Sequence, residues 1–312
     1  MDAIHKISTR KAYGEALANL GKVNENVVVL DAETSNSTFA ATFKDKYPDR
    51  FIESFIAEQN MVSMAVGLSR MDKIPFVSTF AAFFTRAADQ IRMSQYSHSN
   101  IKFVGSHAGV SIGEDGASQM ALEDISLFRC ILNSVVFYPC DQVSTEKLVF
   151  AMAELKGINY LRTTRGDTNI LYSNEEEFVV GGSKTLKSSE NDVVTIMAAG
   201  ITVHESLKAY EILKNKGIIL RVIDLYCIKP IDINAILKAS SQTKAIIVVE
   251  DHYKEGGIYE AVCGSGAVTV PAHSLCVTKM PHSGTPDELL NYEEINAAAI
   301  VNLVEKIVAS QG

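Results

Sequence analysis

The 312-residue chain is 47% hydrophobic and 21% charged with only 7 Pro and 19 Gly, which excludes disordered, fibrous and mini-protein classes. At about 150 residues per domain, that length gives roughly two domains. Its 29 Lys and Arg against 37 Asp and Glu leave a formal charge of -8, so the overall field repels polyanions and no nucleic-acid partner is expected, although a local pocket for one or two phosphates is compatible with it.

Short apolar runs rich in Val, Ile and Phe alternate with amphipathic stretches along the chain. A helical pattern over 9–20 leads into a strand at 27–31. A helix over 60–70 follows, then a strand at 74–79, a helix over 81–95, a strand at 101–105, a helix over 119–128 and a strand at 135–138. A helix over 145–155 precedes a strand at 158–163. The second half reads as strands at 193–199, 220–224, 245–250 and 273–277, with helices over 202–216 and 294–308. This alternation predicts an α/β fold of two domains, each with a mostly parallel sheet flanked by helices. Between 171 and 192 the pattern lapses into the polar stretches YSNEEEF and SKTLKSSEND, so the domains are expected at 1–175 and 192–312, with 176–191 as linker or domain entry. The last helix is amphipathic and can pack on its own domain or on a partner.

The five cysteines, Cys130, Cys140, Cys227, Cys263 and Cys276, form no CxxC pair, so neither a disulfide framework nor a zinc site is expected. The N-terminal stretch lacks the apolar core of a signal peptide, and no run reaches the roughly 18 apolar residues that cross a bilayer. A cytoplasmic protein without membrane attachment is the expectation.

In open parallel sheets, ligands lie beyond the carboxyl ends of the strands, which gathers the loops after residues 31, 56, 79, 105 and 163. Glu58, in IAEQNM, opens a helix, where a carboxylate is favoured by the macrodipole whatever else it does. Phe80, Phe83, Phe84, Ala87, Ala88 and Ile91 fall on one helical face, an ordinary core stripe unless an aromatic near the strand end offers its face to a flat heterocycle. GSHAGVSIGEDGASQMALED crowds His107, Glu114, Asp115 and Gln119 between glycines, with Ser118 expected as an N-cap; it is neither a GxGxxG nor a P-loop motif. Arg10, Ser37 and Arg165 read singly as solvated side chains. Together with His107 they suit a phosphate monoester, since guanidinium and hydroxyl donors match its oxygens. No GxSxG elbow and no HExxH or DxDxDG spacing occurs, so the residues alone lead to a two-domain α/β protein with a polar strand-end pocket.

The wording of these loops adds to that. STRKAYGEAL, NSTF, FIESFIAEQNMVSMAVG, PFVSTFAAFFTRAADQIR, GSHAGVSIGEDGASQMALED, FYPCD, LRTTRGD and EDHYKEGGIYEAV resemble transketolase of the animal type, in its pyrimidine-binding and C-terminal domains, from about Ser8 onward. The resemblance implies a thiamine diphosphate enzyme that moves a two-carbon ketol unit from a ketose phosphate to an aldose phosphate, the cofactor supplying the carbanion chemistry. It implies that Glu58 is the catalytic carboxyl bonded to a nitrogen of the cofactor's pyrimidine, that Phe83 stacks on that ring, and that Gln119 lies on the cofactor side where other branches carry histidine. Arg10, Ser37, His107 and Arg165 would hold the substrate phosphate, and Asp115 would accept a hydrogen bond from a substrate hydroxyl.

The family's diphosphate-binding half, with its GDG…N metal motif, has no counterpart in these residues; GEDG at 113–116 belongs to the substrate loop. A split transketolase is therefore expected, with Mg2+ and the diphosphate held by an N-terminal subunit, no metal ligand on this chain, and a heterotetramer of two copies each. Three alternatives remain at this point. The beta subunit of a 2-oxoacid dehydrogenase-type decarboxylase shares the domain pair, but the contexts of His107, Asp115 and Arg165 argue against it. A deoxyxylulose phosphate synthase-like enzyme fits EDHYKEGG better than AAFFTRAADQIR, and a non-catalytic regulatory subunit would typically lose the carboxylate or the phosphate clamp.

Overall fold

A computed structural model describes residues 6–310; the first five residues of the expected first domain and the last two of the chain lie outside it. Eight strands come from the first half: β1 (Lys6–Ser8), β2 (Val27–Asp31), β3 (Phe51–Glu53), β4 (Ile74–Phe80), β5 (Ile101–Ser106), β6 (Val135–Phe137), β7 (Ile158–Arg162) and β8 (Asp167–Asn169). Six follow: β9 (Lys184–Lys187), β10 (Thr195–Ala198), β11 (Arg221–Asp224), β12 (Cys227–Lys229), β13 (Ile246–Tyr253) and β14 (Ala272–Val277). The first sheet has the order β12-β6-β7-β5-β4-β2-β3, and every neighbouring pair is parallel except β12 with β6. The second has the order β14-β13-β10-β11-β9, parallel except for β9 at its edge; β1 and β8 make a separate antiparallel pair.

Strand composition follows from helices covering both faces of the first sheet. All five residues of β2, VVVLD, are buried, as a central parallel strand requires. Alternate side chains divide between two cores. Val29 and Phe76 pack with Tyr13, Leu17 and Met152 under the helices Thr9–Val23 and Gln142–Glu154, whereas Leu30 and Val77 pack with Met61, Phe84 and Ile91 on the opposite face. The second sheet buries Ile196, Val222 and Val249 beneath the helices Ile201–Asn215 and Ala297–Ala309, so the last helix packs on its own domain.

All nine expected strands are present, with ends shifted by up to three residues; the five additional ones are three or four residues long. One of these, β9, falls within the segment read as a linker. Two expected helices differ. The 81–95 stretch is a 3-10 turn over Ala81–Ala87 followed by an α-helix over Ala88–Tyr96, and the 119–128 stretch is a 3-10 turn over Ala117–Gln119 followed by a helix over Asp124–Arg129. Ser118 thus lies inside a turn and caps no helix. The last helix starts three residues late because Glu294 takes a left-handed φ of 57° and Asn296 caps the helix through the Ala299 amide at 3.0 Å. Among the described residues no helix is long and apolar enough to cross a membrane.

Candidate functional site

The first sheet delivers the carboxyl ends of β2, β3, β4, β5 and β7 to one rim, and the site is assembled there. Arg10 is the second residue of the helix Thr9–Val23, whose start is tied to the loop after β7: the Thr164 amide donates to Thr9 Oγ1 at 2.8 Å. That tie brings Arg10 near Arg165. Arg10 Nη1 donates to the Ser37 carbonyl at 3.0 Å and to His107 Nε2 at 3.3 Å, and its guanidinium lies 5.3 Å from the centre of the Phe39 ring. Its Nε is buried with no partner among the described residues. Burial, aided by the Arg165 charge, holds the Arg10 pKa below its ordinary value. On the other side, Arg165 Nη1 reaches the Ile112 carbonyl at 3.0 Å, Glu114 Oε2 at 3.1 Å and Asp115 Oδ2 at 3.5 Å.

His107 sits between them, 3% exposed, with a left-handed φ of 55°. A guanidinium only donates, so Nε2 facing Arg10 must accept, and the ring proton belongs on Nδ1, 2.9 Å from Ser106 Oγ. Burial and the charges of Arg10 and Arg165 push its pKa down to about 3, so the imidazole is neutral near pH 7. Asp115 Oδ2 lies 4.0 Å from Nε2. This end of the site is therefore two guanidinium groups around a neutral imidazole, an arrangement that receives an anion.

The other end is apolar and acidic. The His107 ring stacks on Phe80 with centroids 3.9 Å apart and planes 11° apart, and Phe80 stacks on Phe83 at 5.2 Å. The 3-10 turn causes this. Phe80 ends β4 with an extended backbone, and the tight winding that follows sets Phe83 against it at the rim while Phe84, one position on, turns into the core with no exposure. Glu58 opens the helix Glu58–Ser69, is 3% exposed, and accepts a hydrogen bond from Arg86 Nη1 at 2.5 Å on Oε1. The Arg86 guanidinium in turn lies 4.2 Å from the centre of the Phe83 ring.

An unbroken chain of contacts thus joins Glu58, Arg86, Phe83, Phe80, His107 and Arg10, with Ser37, Asp115 and Arg165 around its far end. Ser37 participates through its backbone carbonyl. Gln119 stands apart, half-buried at the end of its turn with Nε2 3.4 Å from Ser118 Oγ, although that turn packs against the one bearing Phe83. Two members were missed by sequence reasoning: Arg86 as the partner of Glu58, and Phe80 as the platform of His107. The available signal for Arg86 was its spacing of three from Phe83, meaningful only once the segment is known to be a 3-10 turn.

Comparison with known proteins bears on the same residues. A family model described as the transketolase pyrimidine binding domain matches residues 5–169, and another described as the transketolase C-terminal domain matches residues 183–300. Transketolase-like protein 2 of Mus musculus is 54% identical over 306 residues, covering 97% of this chain and 49% of the relative. Transketolase of Homo sapiens is 52% identical over 307 residues, with the same two shares. The chain spans about half the length of the curated relatives it matches. A solved structure described as a split-gene transketolase, an inactive β4 tetramer, aligns with a TM-score of 0.88 at 37% identity, over 97% of this chain and 98% of the other.

Proposed function

Because the chain belongs to the transketolase family, carrying its pyrimidine-binding and C-terminal domains, we propose that it is the C-terminal subunit of a split thiamine diphosphate-dependent transketolase, passing a two-carbon ketol unit from a ketose phosphate to an aldose phosphate. The carrying observation is the joined pair of subsites: a nearly buried carboxylate beside an aromatic face covered only by the half-exposed Arg86 guanidinium, and an anion-receiving cluster of two arginines. The first fits a flat, nitrogen-bearing ring. The second fits a phosphate, for which the partnerless Arg10 Nε is a ready donor.

When bound, thiamine diphosphate would supply the carbanion chemistry of ketol transfer. Glu58 would hold a pyrimidine nitrogen, Phe83 would support the ring from one face, and Gln119 would line the cofactor side. Arg10 and Arg165 would bind the substrate phosphate with Ser37 and His107, the neutral imidazole orienting Arg10 through Nε2. Asp115 would accept a hydrogen bond from a substrate hydroxyl, which favours one stereochemistry. A second polypeptide would supply the diphosphate-binding domain and its Mg2+, in a heterotetramer of two copies each; the near-complete mutual coverage with a split-gene transketolase supports this division. The pyrimidine-binding unit is assigned to 1–175 and the C-terminal unit to 192–312. The matched relatives are named transketolase or transketolase-like, which supports this reading over the decarboxylase, synthase and regulatory-subunit alternatives.

The test is Glu58→Gln in the presence of the partner subunit. Turnover of a ketose phosphate with an aldose phosphate acceptor is expected to fall about a hundredfold or more, while assembly measured by size-exclusion chromatography stays intact. Unchanged turnover overturns the assignment.

A further inference from the structure

Arg86 makes two contacts that the reading above reserves for the cofactor's pyrimidine. Its planar, N–H-bearing guanidinium lies over Phe83, 4.2 Å from the ring centre, and donates to Glu58 Oε1 at 2.5 Å. Its backbone is pinned, since Gln59 Nε2 donates to the Arg86 carbonyl at 3.1 Å, but its side chain is 49% exposed against 4% for that of Glu58. Resting on that reading of Glu58 and Phe83, we propose that Arg86 is a positioning residue that occupies the pyrimidine place of the unassembled chain and must swing out before the heterocycle can enter.

The physical case has three parts. A carboxylate withdrawn from water needs a counter-ion, and Arg86 supplies it. A guanidinium is the side-chain group that both stacks on an aromatic face and presents N–H donors in its plane, so it reproduces the contacts of an aminopyrimidine, whereas a lysine would reproduce only the charge. The pairing is through a single nitrogen to a single oxygen and open to solvent on one side, so it can be displaced. Any ligand entering must overcome this occupancy, and its apparent affinity is the intrinsic one multiplied by the fraction of chains in which Arg86 is not seated.

The experiment uses the full chain with 4-amino-5-hydroxymethyl-2-methylpyrimidine, the heterocycle alone, titrated by calorimetry against wild type, Arg86→Met and Arg86→Lys. Arg86→Met is expected to bind about tenfold more tightly than wild type, with Arg86→Lys between them. A second readout is thermal stability at fixed pH: Arg86→Met should be destabilised relative to wild type because Glu58 has lost its counter-ion, and the effect of Arg86→Met should vanish in a Glu58→Gln background. Equal binding by wild type and Arg86→Met, binding by neither, or a destabilisation by Arg86→Met that survives in the Glu58→Gln background overturns the inference. The Glu58→Gln turnover assay leaves Arg86 in place, so failure of the gate and failure of the catalytic assignment give different results.

Discussion

A carboxyl group sealed from water holds its proton more tightly than a solvated one, and Asp224, at the end of β11, is sealed completely. Its Oδ2 accepts from Tyr172 Oη at 2.7 Å and from Cys140 Sγ at 3.1 Å, and its Oδ1 has no partner among the described residues. Burial outweighs those two donors and pushes its pKa up to about 7, with the neighbouring Asp141 adding to the rise. Between about pH 4 and pH 7 the folded chain therefore keeps a proton that the unfolded chain has released, so this group's contribution to stability falls as pH rises through that window. Asn at this position cannot ionise. Urea midpoints of Asp224→Asn and wild type should diverge in favour of the variant from pH 4.5 to pH 7 and run parallel above it; a gap independent of pH would remove the assignment. At this scale the candidate residues were legible by position: Arg10 and Glu58 stand at helix starts, and His107 and Arg165 in distinctive loops just beyond expected strands. What pairs with them was not, because the Arg86 to Glu58 bond spans 28 positions and rests on a turn geometry that periodicity does not reveal.

At the scale of elements, the 3-10 segment Ala81–Ala87 divides two adjacent aromatics between site and core. A regular helix would have put Phe80, Phe83 and Phe84 in one stripe, and that was the sequence expectation; the tighter winding frees Phe83 and leaves Phe84 packed edge-on against Phe103 and Phe128. Phe84→Ala should cost about 3–5 kcal/mol of stability in urea unfolding. Phe83→Ala, on the half-buried rim, should change stability by about 1 kcal/mol or less while weakening aminopyrimidine binding. Equal destabilisation by the two would mean that the rim and core assignments are wrong. Long buried strands such as β2 and β5 could be read from their apolar runs. The short edge strands could not, since β3, β9 and β12 have three or four residues each and depend on a neighbour for their existence.

For the whole molecule, the two halves are joined by a charge cluster with no exposure. Arg162, at the end of β7, directs Nε to Asp124 Oδ2 at 2.9 Å and Nη1 to Asp251 Oδ1 at 2.7 Å, with Nη2 donating to the carbonyls of Ala121 and Asp251. Asp251 belongs to β13 of the second sheet, so one guanidinium neutralises carboxylates of both halves. Gly109 is part of the same joint: its φ of 83° and its position against Asp251 leave no room for a Cβ. Arg162→Met should cost about 3–5 kcal/mol, measured by urea unfolding, because two buried carboxylates lose their counter-ion. A loss below about 1 kcal/mol would show that the cluster is dispensable.

The short strand Cys227–Lys229 leaves its own half of the chain to complete the sheet of the other, antiparallel to Val135–Phe137. A polypeptide severed in the polar stretch before residue 192 would therefore carry a bare strand margin, with amide and carbonyl groups free to recruit copies of itself. The halves are stitched rather than merely adjacent, so recombination or gene fission that respects this architecture has to transmit them as one heritable block.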